Sequence, residues 1–465
     1  MSERSRMRNL LIVLGVGLIL GAGLDALAGQ VDAPASDVSA EAGIFQTRAA
    51  FCPPPFSKRN AVLAVAVEGD PGAPATIRLD PIDSKNSDLA ADRLLLHRGA
   101  EQALEAVGYG AHVHASALLS STKPVTGSDA ARCPRTVSDH WYFPAGSSLL
   151  GYDERILVRN PFADEAVISV TFVTPSGLEP KAGLSDIAIP AGESHYVKVN
   201  DFLLRQPVLG AEVTATRGRV VAWRAMFAAS DERPDGVYFG LGASGPATDW
   251  YFPEGEVGRG LDEVITLLNP NKKEAVVSIS LATASRSVQP PKLVEEKIPA
   301  QSVKAISLPA NLDPRDQSLG GVGAIVHSLN GTGVIAERTV WYAASRTGVT
   351  SSMGATAPSP GWVIAPPAVS NPADDLVIMN PGREKVTASV YLMREGGGPV
   401  KPASLQKISI KAGTRVRRGL NDWSHGTPMA VVVVADGPVV AERVATTGNG
   451  DVATLVGDAF TPNAQ

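Results

Sequence analysis

Asn269-Pro270-Asn271-Lys272-Lys273-Glu274-Ala275-Val276-Val277-Ser278-Ile279-Ser280-Leu281-Ala282 decides the fold. Val277, Ile279 and Leu281 return every second residue, with Ser278 and Ser280 between them. Such alternation places one face of an extended strand in a core and leaves the other face polar. Pro270 closes the strand before it, because proline lacks a ladder N–H and biases Asn269 towards extended or turn geometry. The same phasing occurs twice more. Ile168, Val170 and Phe172 stand 8, 10 and 12 residues after Asn160, and Ala388, Val390 and Leu392 stand at those offsets from Asn380.

Working outward, each Asn-Pro belongs to a longer pattern. An aromatic opening precedes it: Trp141-Tyr142-Phe143-Pro144, Trp250-Tyr251-Phe252-Pro253 and the diverged Trp362-Val363-Ile364-Ala365. A turn follows at Ile189-Pro190-Ala191-Gly192, Ile298-Pro299-Ala300-Gln301 and Ile410-Lys411-Ala412-Gly413. Each copy closes on Val-x-Ala-x-Arg, ending at Arg224, Arg338 and Arg443. The period is 250−141 = 109 and then 362−250 = 112 residues. That exceeds the ~20–50 residues of solenoid repeats and matches a whole sandwich domain. The fold expected is therefore all-β: tandem immunoglobulin-like or fibronectin-like β-sandwiches of about seven short strands each.

A degenerate copy precedes these three. Ala61–Val67 is an apolar run, and Ala75, Ile77 and Leu79 alternate. Leu96-His97-Arg98-Gly99 is taken as its turn, and Gly110-Ala111-His112-Val113 as the match of Gly210-Ala211-Glu212-Val213 and Gly323-Ala324-Ile325-Val326. The expected domains are 51–138, 139–247, 248–359 and 360–465.

The N-terminus supplies the address. Arg4, Arg6 and Arg8 precede an uncharged apolar run, Leu10–Leu24. Residues 1–29 fit either a signal peptide, cut after Ala26-Leu27-Ala28, or an uncleaved transmembrane helix. Both put the rest of the chain outside the cytoplasm. The localisation expected is the cell membrane, single-pass with the bulk extracellular, or secreted if the signal is cleaved. Residues 30–50 read as a flexible linker. Cys52 and Cys133 bracket the degenerate copy and are expected to form a disulfide, which persists in exported proteins. A net charge of −5 with 19% charged residues argues against nucleic-acid binding.

Chemistry is sparse. His112 and His114 share one strand face, but the other copies fill the matched positions with Glu212 and Thr214, Ile325 and His327, or Val431 and Val433. No third metal ligand stands at a suitable spacing. The acidic pairs Asp153-Glu154, Asp262-Glu263 and Asp374-Asp375 recur before the second strand, where calcium is the candidate ligand. The closing arginines are expected over an aromatic ring or against a carboxylate on the next strand. Trp341 beside Tyr342 is the candidate exposed patch for stacking on sugars. No Gly-x-Ser-x-Gly element occurs, and Gly242-Ala243-Ser244-Gly245 reads as a linker. No catalytic residue, metal or cofactor is expected. Trp141, Trp250, Trp362, Asn160, Asn269, Asn380, Arg224, Arg338 and Arg443 are read as the structural residues of the repeat.

The motifs at Cys52-Pro53, Trp141–Gly146 and Trp250–Gly255 resemble a family of uncharacterised exported actinomycete proteins whose repeats open Trp-Tyr-Phe-Ala-Glu-Gly. The resemblance spans nearly all of residues 51–445 and implies an envelope location and a β-sandwich repeat. The expected role is a membrane-tethered envelope scaffold or protein-binding spacer. The alternatives are a cell-wall glycan-binding array and an envelope enzyme accessory with a site at a domain junction. The expected partners are envelope proteins or cell-wall polysaccharide, with the membrane reached through the N-terminal segment.

Overall fold

The computed structural model describes residues 47–54, 61–68, 74–80, 87–90, 93–100, 104–109, 112–231, 233–313, 316, 319–343, 347–366, 373–424, 427–446 and 451–462. The expected transmembrane or signal segment at 1–29 lies outside them. No helix among the described residues is long and apolar enough to cross a membrane. The protein from Thr47 onward is nearly all β, in four two-sheet copies.

The third copy shows the plan. Its front sheet sets Asp249–Phe252 beside Gly323–Ser328, then Ala275–Ala282, with Ser287–Val288 and Glu296–Ile298 on the outer edge. Its back sheet runs Ser302–Ser307, Leu261–Asn269, Ile335–Ala343, Thr347–Met353. Val277, Ile279 and Leu281 are fully buried between the sheets, as their alternation requires. The last strand, Thr347–Met353, is an eighth that the repeat pattern does not announce. Its counterparts are Gly127–Cys133, Arg233–Leu241 and Val452–Val456. In the fourth copy one long strand, Met429–Thr446, serves both sheets.

The first copy has the same topology with a different register from the one expected. Its first strand begins at Thr47, inside the segment read as linker. Leu96–Gly99 is not a turn but part of the strand Arg93–Ala100. His112 opens the closing strand, His112–Ser121, so its match is the Val-x-Ala-x-Arg strand. Leu104–Tyr109 is the front-sheet strand that Gly110–Val113 was assigned to. The short sequence between the two strands hid the slip.

The recurrent motifs tie the sheets together. Each opening tryptophan donates its indole N–H to the first carbonyl of its own Val-x-Ala-x-Arg segment: Trp141 to Val220 at 2.8 Å, Trp250 to Val334 at 2.7 Å and Trp362 to Val439 at 2.7 Å. Each buried asparagine amide bonds two turns at once. Asn269 donates to the carbonyls of Lys273 at 2.7 Å and Ile298 at 3.1 Å, and accepts from Asn271 N–H at 3.0 Å. Asn160 does the same with Asp164 and Ile189, and Asn380 with Glu384 and Ile410. A buried amide so fully satisfied fixes the strand ends, which explains Asn rather than another turn former.

Cys52 and Cys133 form a disulfide across 81 residues. Its place is set by the other copies. Tyr142 donates its N–H to Ala243 and Tyr251 to Ala355, each at 2.8 Å; in the first copy Phe51 donates to Pro134 at 2.9 Å. The next residue forward is Phe143, Phe252 or Cys52, and the residue before the acceptor is Gly242, Gly354 or Cys133. A Cβ on Gly242 would lie 2.7 Å from the Phe143 ring, and one on Gly354 3.0 Å from Phe252. The disulfide thus occupies the position where the second and third copies pack a phenyl ring on glycine and the fourth packs Ile364 on Gly457. Removing it as Cys52→Ala/Cys133→Ala should cost about 3–4 kcal/mol. Cys52→Phe/Cys133→Gly, which restores the ring-on-glycine contact, should recover part of that. Urea midpoints of the three proteins test this.

The four copies close into a ring. Their last strands touch in cyclic order: first to second, second to third, third to fourth, fourth back to first. From the second copy on, the front sheet of each copy covers the back sheet of the next. Tyr142 packs into the third-copy core and Tyr251 against the fourth. Val363, Met393, Ala430 and Val432 of the fourth copy share a cluster with Ala64, Ala66, Leu94 and Leu96 of the first. The first and second copies share one large core cluster. These are heterologous contacts of one kind repeated until they close.

Candidate functional site

The polar residues that recur meet at the seams. Arg338 donates to Glu442 of the next copy at 2.9 Å, with both side chains fully buried. Glu442 also accepts from the Glu254 N–H at 2.9 Å and the Ser352 hydroxyl at 3.2 Å. One seam earlier, Arg224 pairs with Glu337, which accepts from the Ala145 N–H at 3.1 Å and the Ser351 hydroxyl at 2.7 Å. Arg224 and Arg338 therefore reach the next copy rather than the next strand. Their guanidinium planes also face aromatic rings: Arg224 lies 5.1 Å from Tyr238 and Arg338 6.0 Å from Phe252. The first copy has Ser116 in the glutamate's place, donating to the Pro366 carbonyl at 2.7 Å. Arg443 turns instead to Asp374 of its own copy at 2.7 Å.

The acidic pairs are half buried. Glu154, Glu263 and Asp374 are the interior members. Burial pushes Glu154 up to about 7 against the pull of Arg224, and Glu263 up to about 8 against Arg338. The outer members engage arginines: Asp153 with Arg155, Asp262 with Arg233 and Asp375 with Arg417, each at 2.8 Å. Among the described residues, no group of three or more His, Cys, Asp or Glu side chains could hold a metal ion. His114 is spent on the fourth-to-first seam. Its Nδ1 lies 3.1 Å from Asp458, whose other oxygen is 3.4 Å from Arg132. Burial alone would raise Asp458, but the His114 hydrogen bond and Arg132 hold it below the usual carboxylate range.

Two cavities follow from the ring. One, of about 360 Å³, sits where the four chain segments leaving the last strands meet. Arg132, Arg135, Ser244, Thr356 and Asp458 line it. The segments are Arg132-Cys133-Pro134-Arg135, Leu241-Gly242-Ala243-Ser244, Met353-Gly354-Ala355-Thr356 and Val456-Gly457-Asp458-Ala459, and the glycine recurs in the last three, so Gly242–Gly245 is not a linker. The second cavity is a groove of about 370 Å³ between the second and third copies. Trp341 lines it at only 5% exposed, packed with Met226, Ala228 and Tyr238. Tyr342, on the opposite strand face, is buried against Val377, Val444 and Val452 of the fourth copy. The pair is therefore not an exposed patch: alternation sends the two rings into different seams.

The fold and these seams define a class of protein built from four fused β-sandwich copies in a closed ring. Within that class, the chain belongs to the Family of unknown function (DUF5719), whose model matches residues 96–311 and 240–464. Among solved structures, the chain is similar to one titled "Crystal Structure of Thermotoga maritima 1070", with 16% identity, 23% of this chain and 98% of that one covered, and a TM-score of 0.20. It is also similar to the Anabaena sensory rhodopsin transducer, with 18% identity, 21% and 98% covered, and a TM-score of 0.17. No curated protein matches the sequence.

Proposed function

We propose that this protein is a non-catalytic platform of the cell envelope, tethered by its N-terminal segment and presenting a fixed surface to protein partners. The closed ring carries the reading. Four sandwiches on free linkers would make a flexible spacer. Seams sealed by Arg338–Glu442, Arg224–Glu337 and His114–Asp458 instead make one rigid body. An envelope location is supported by the basic and apolar N-terminus and by the disulfide. The two-sheet copies favour an immunoglobulin-like or fibronectin-like sandwich. Raised carboxyls occur at both the second and third seams, so neither junction stands apart as an enzyme site would.

Crosslinking in intact cells, followed by fractionation of the full-length chain, tests the reading. The expected result is recovery in the membrane fraction, crosslinked to a small set of envelope proteins. Recovery in the cytosol, or no protein crosslinks from the intact ring, would overturn it.

A further inference from the structure

The groove between the second and third copies has an internal control in the next seam. Ser302 pairs with Asn269 and Thr414 with Asn380, so Val303 and Ala305 of the third copy stand where the fourth has Arg415 and Arg417. In the third-to-fourth seam those arginines fill the space. Arg415 donates to the carbonyls of Pro253 at 2.7 Å and Val322 at 2.9 Å. Arg417 pairs with Glu254 at 3.1 Å, Glu256 at 3.0 Å and Asp375 at 2.8 Å. One seam back, the places of those three carboxylates hold Ala145, Ser147 and Val264. The plug and its carboxylate partners are missing together, and a cavity remains.

That cavity lacks free charge and is lined with hydroxyls. Ser147, Thr266, Ser307 and Thr339 line it, with the rings of Tyr152 and Trp341 on its wall. Ser147 donates to the Gln206 carbonyl, Ser307 to Asp262 and Thr339 to Ser351, so these three present acceptor lone pairs to a ligand. Arg233, its charged lining residue, is committed to Asp262 at 2.8 Å and lies 4.9 Å over the Trp341 ring. Hydroxyl donors and acceptors beside aromatic faces suit a neutral polyhydroxylated ligand, and the volume is in the range of small-molecule sites. We propose that this groove is a binding site for a neutral saccharide unit, free or as part of a wall polymer. The proposal does not rest on the membrane tether or on protein partners, so its failure leaves the platform reading standing.

The test uses the full chain and three probes: tri-N-acetylglucosamine, maltotriose and xylotriose. Tryptophan fluorescence and saturation-transfer NMR should show saturable binding of at least one, with Kd below about 10 mM. Pelleting with chitin, amylose or xylan distinguishes a polymer from the free sugar. Grafting the next seam's plug as Ser147→Glu/Ala305→Arg should weaken binding at least about tenfold while leaving the urea midpoint close to that of the parent. If the graft does not fold, Thr339→Val serves in its place and should weaken binding severalfold. No saturation by any probe below about 10 mM, unchanged binding in the folded graft, or a protein crosslinked through the groove instead of sugar would overturn the proposal.

Discussion

The unfolding free energy should fall as the pH rises from about 5 to about 9, by roughly 6 kcal/mol or more. Glu154 and Glu263 carry much of the effect. Both are fully buried at seams, and burial holds their protons to about 7 and about 8, against 4.5 for the unfolded chain. A carboxyl whose folded value is raised binds its proton more tightly when folded. Its stabilisation is complete below the unfolded value and is lost as the pH climbs through the folded one. At ~1.4 kcal/mol per unit, Glu154 alone accounts for roughly 3 kcal/mol and Glu263 for rather more. Asp458, held low by His114 and Arg132, changes in a more acidic range and does not offset the decline. Urea midpoints across this range should move down steadily for the parent. Glu154→Gln/Glu263→Gln, which keeps shape and removes the two ionisations, should be flatter, retaining the decline from buried Asp129, whose carboxyl burial also pushes well up. A parent whose stability rises towards alkaline pH contradicts the assignment.

Glu442→Ala should destabilise the protein by about 3–5 kcal/mol. The loss exceeds that of a surface ion pair because Arg338 remains buried without the carboxylate it is hydrogen-bonded to. Glu254 N–H and the Ser352 hydroxyl lose their acceptor as well. Arg338→Met/Glu442→Leu removes both charges and should recover most of the loss, short of the about 1–3 kcal/mol for the orphaned Glu254 N–H. The double-mutant cycle in urea separates the cost of an unpaired charge from the net worth of the pair. A single substitution costing less than about 1 kcal/mol would mean that water reaches the seam.

Much of the strand order was written in short-range periodicity, because a side chain two residues along shares a face whatever surrounds it. Val277, Ile279 and Leu281 could be placed from spacing alone. What escaped was set by partners far along the chain. Glu337 and Glu442 precede the closing arginine, but Trp223 holds that position in the second copy, so the glutamate did not read as part of the pattern. Its reason lies in the preceding copy, at Ala145 and Glu254. Trp341 reads as a surface ring from sequence because it stands beside Tyr342, and adjacent large rings on a strand cannot share one core face. Neither lies at the surface once two neighbouring copies each take one. Thr347–Met353 went unread because a strand on the ring axis packs against its own counterparts, and its sequence of small residues has no obvious period.

The head-to-tail contact has one further consequence, for copy number. An open array of repeats grows or shrinks by a unit at little cost, since each unit meets only its neighbours. Here the last strands meet in cyclic order around an axis. Four turns of one angle complete the circle, and three or five do not. Duplicating or deleting a copy changes every angle at once, so length variation in chains of this kind belongs in the loops and not in the count.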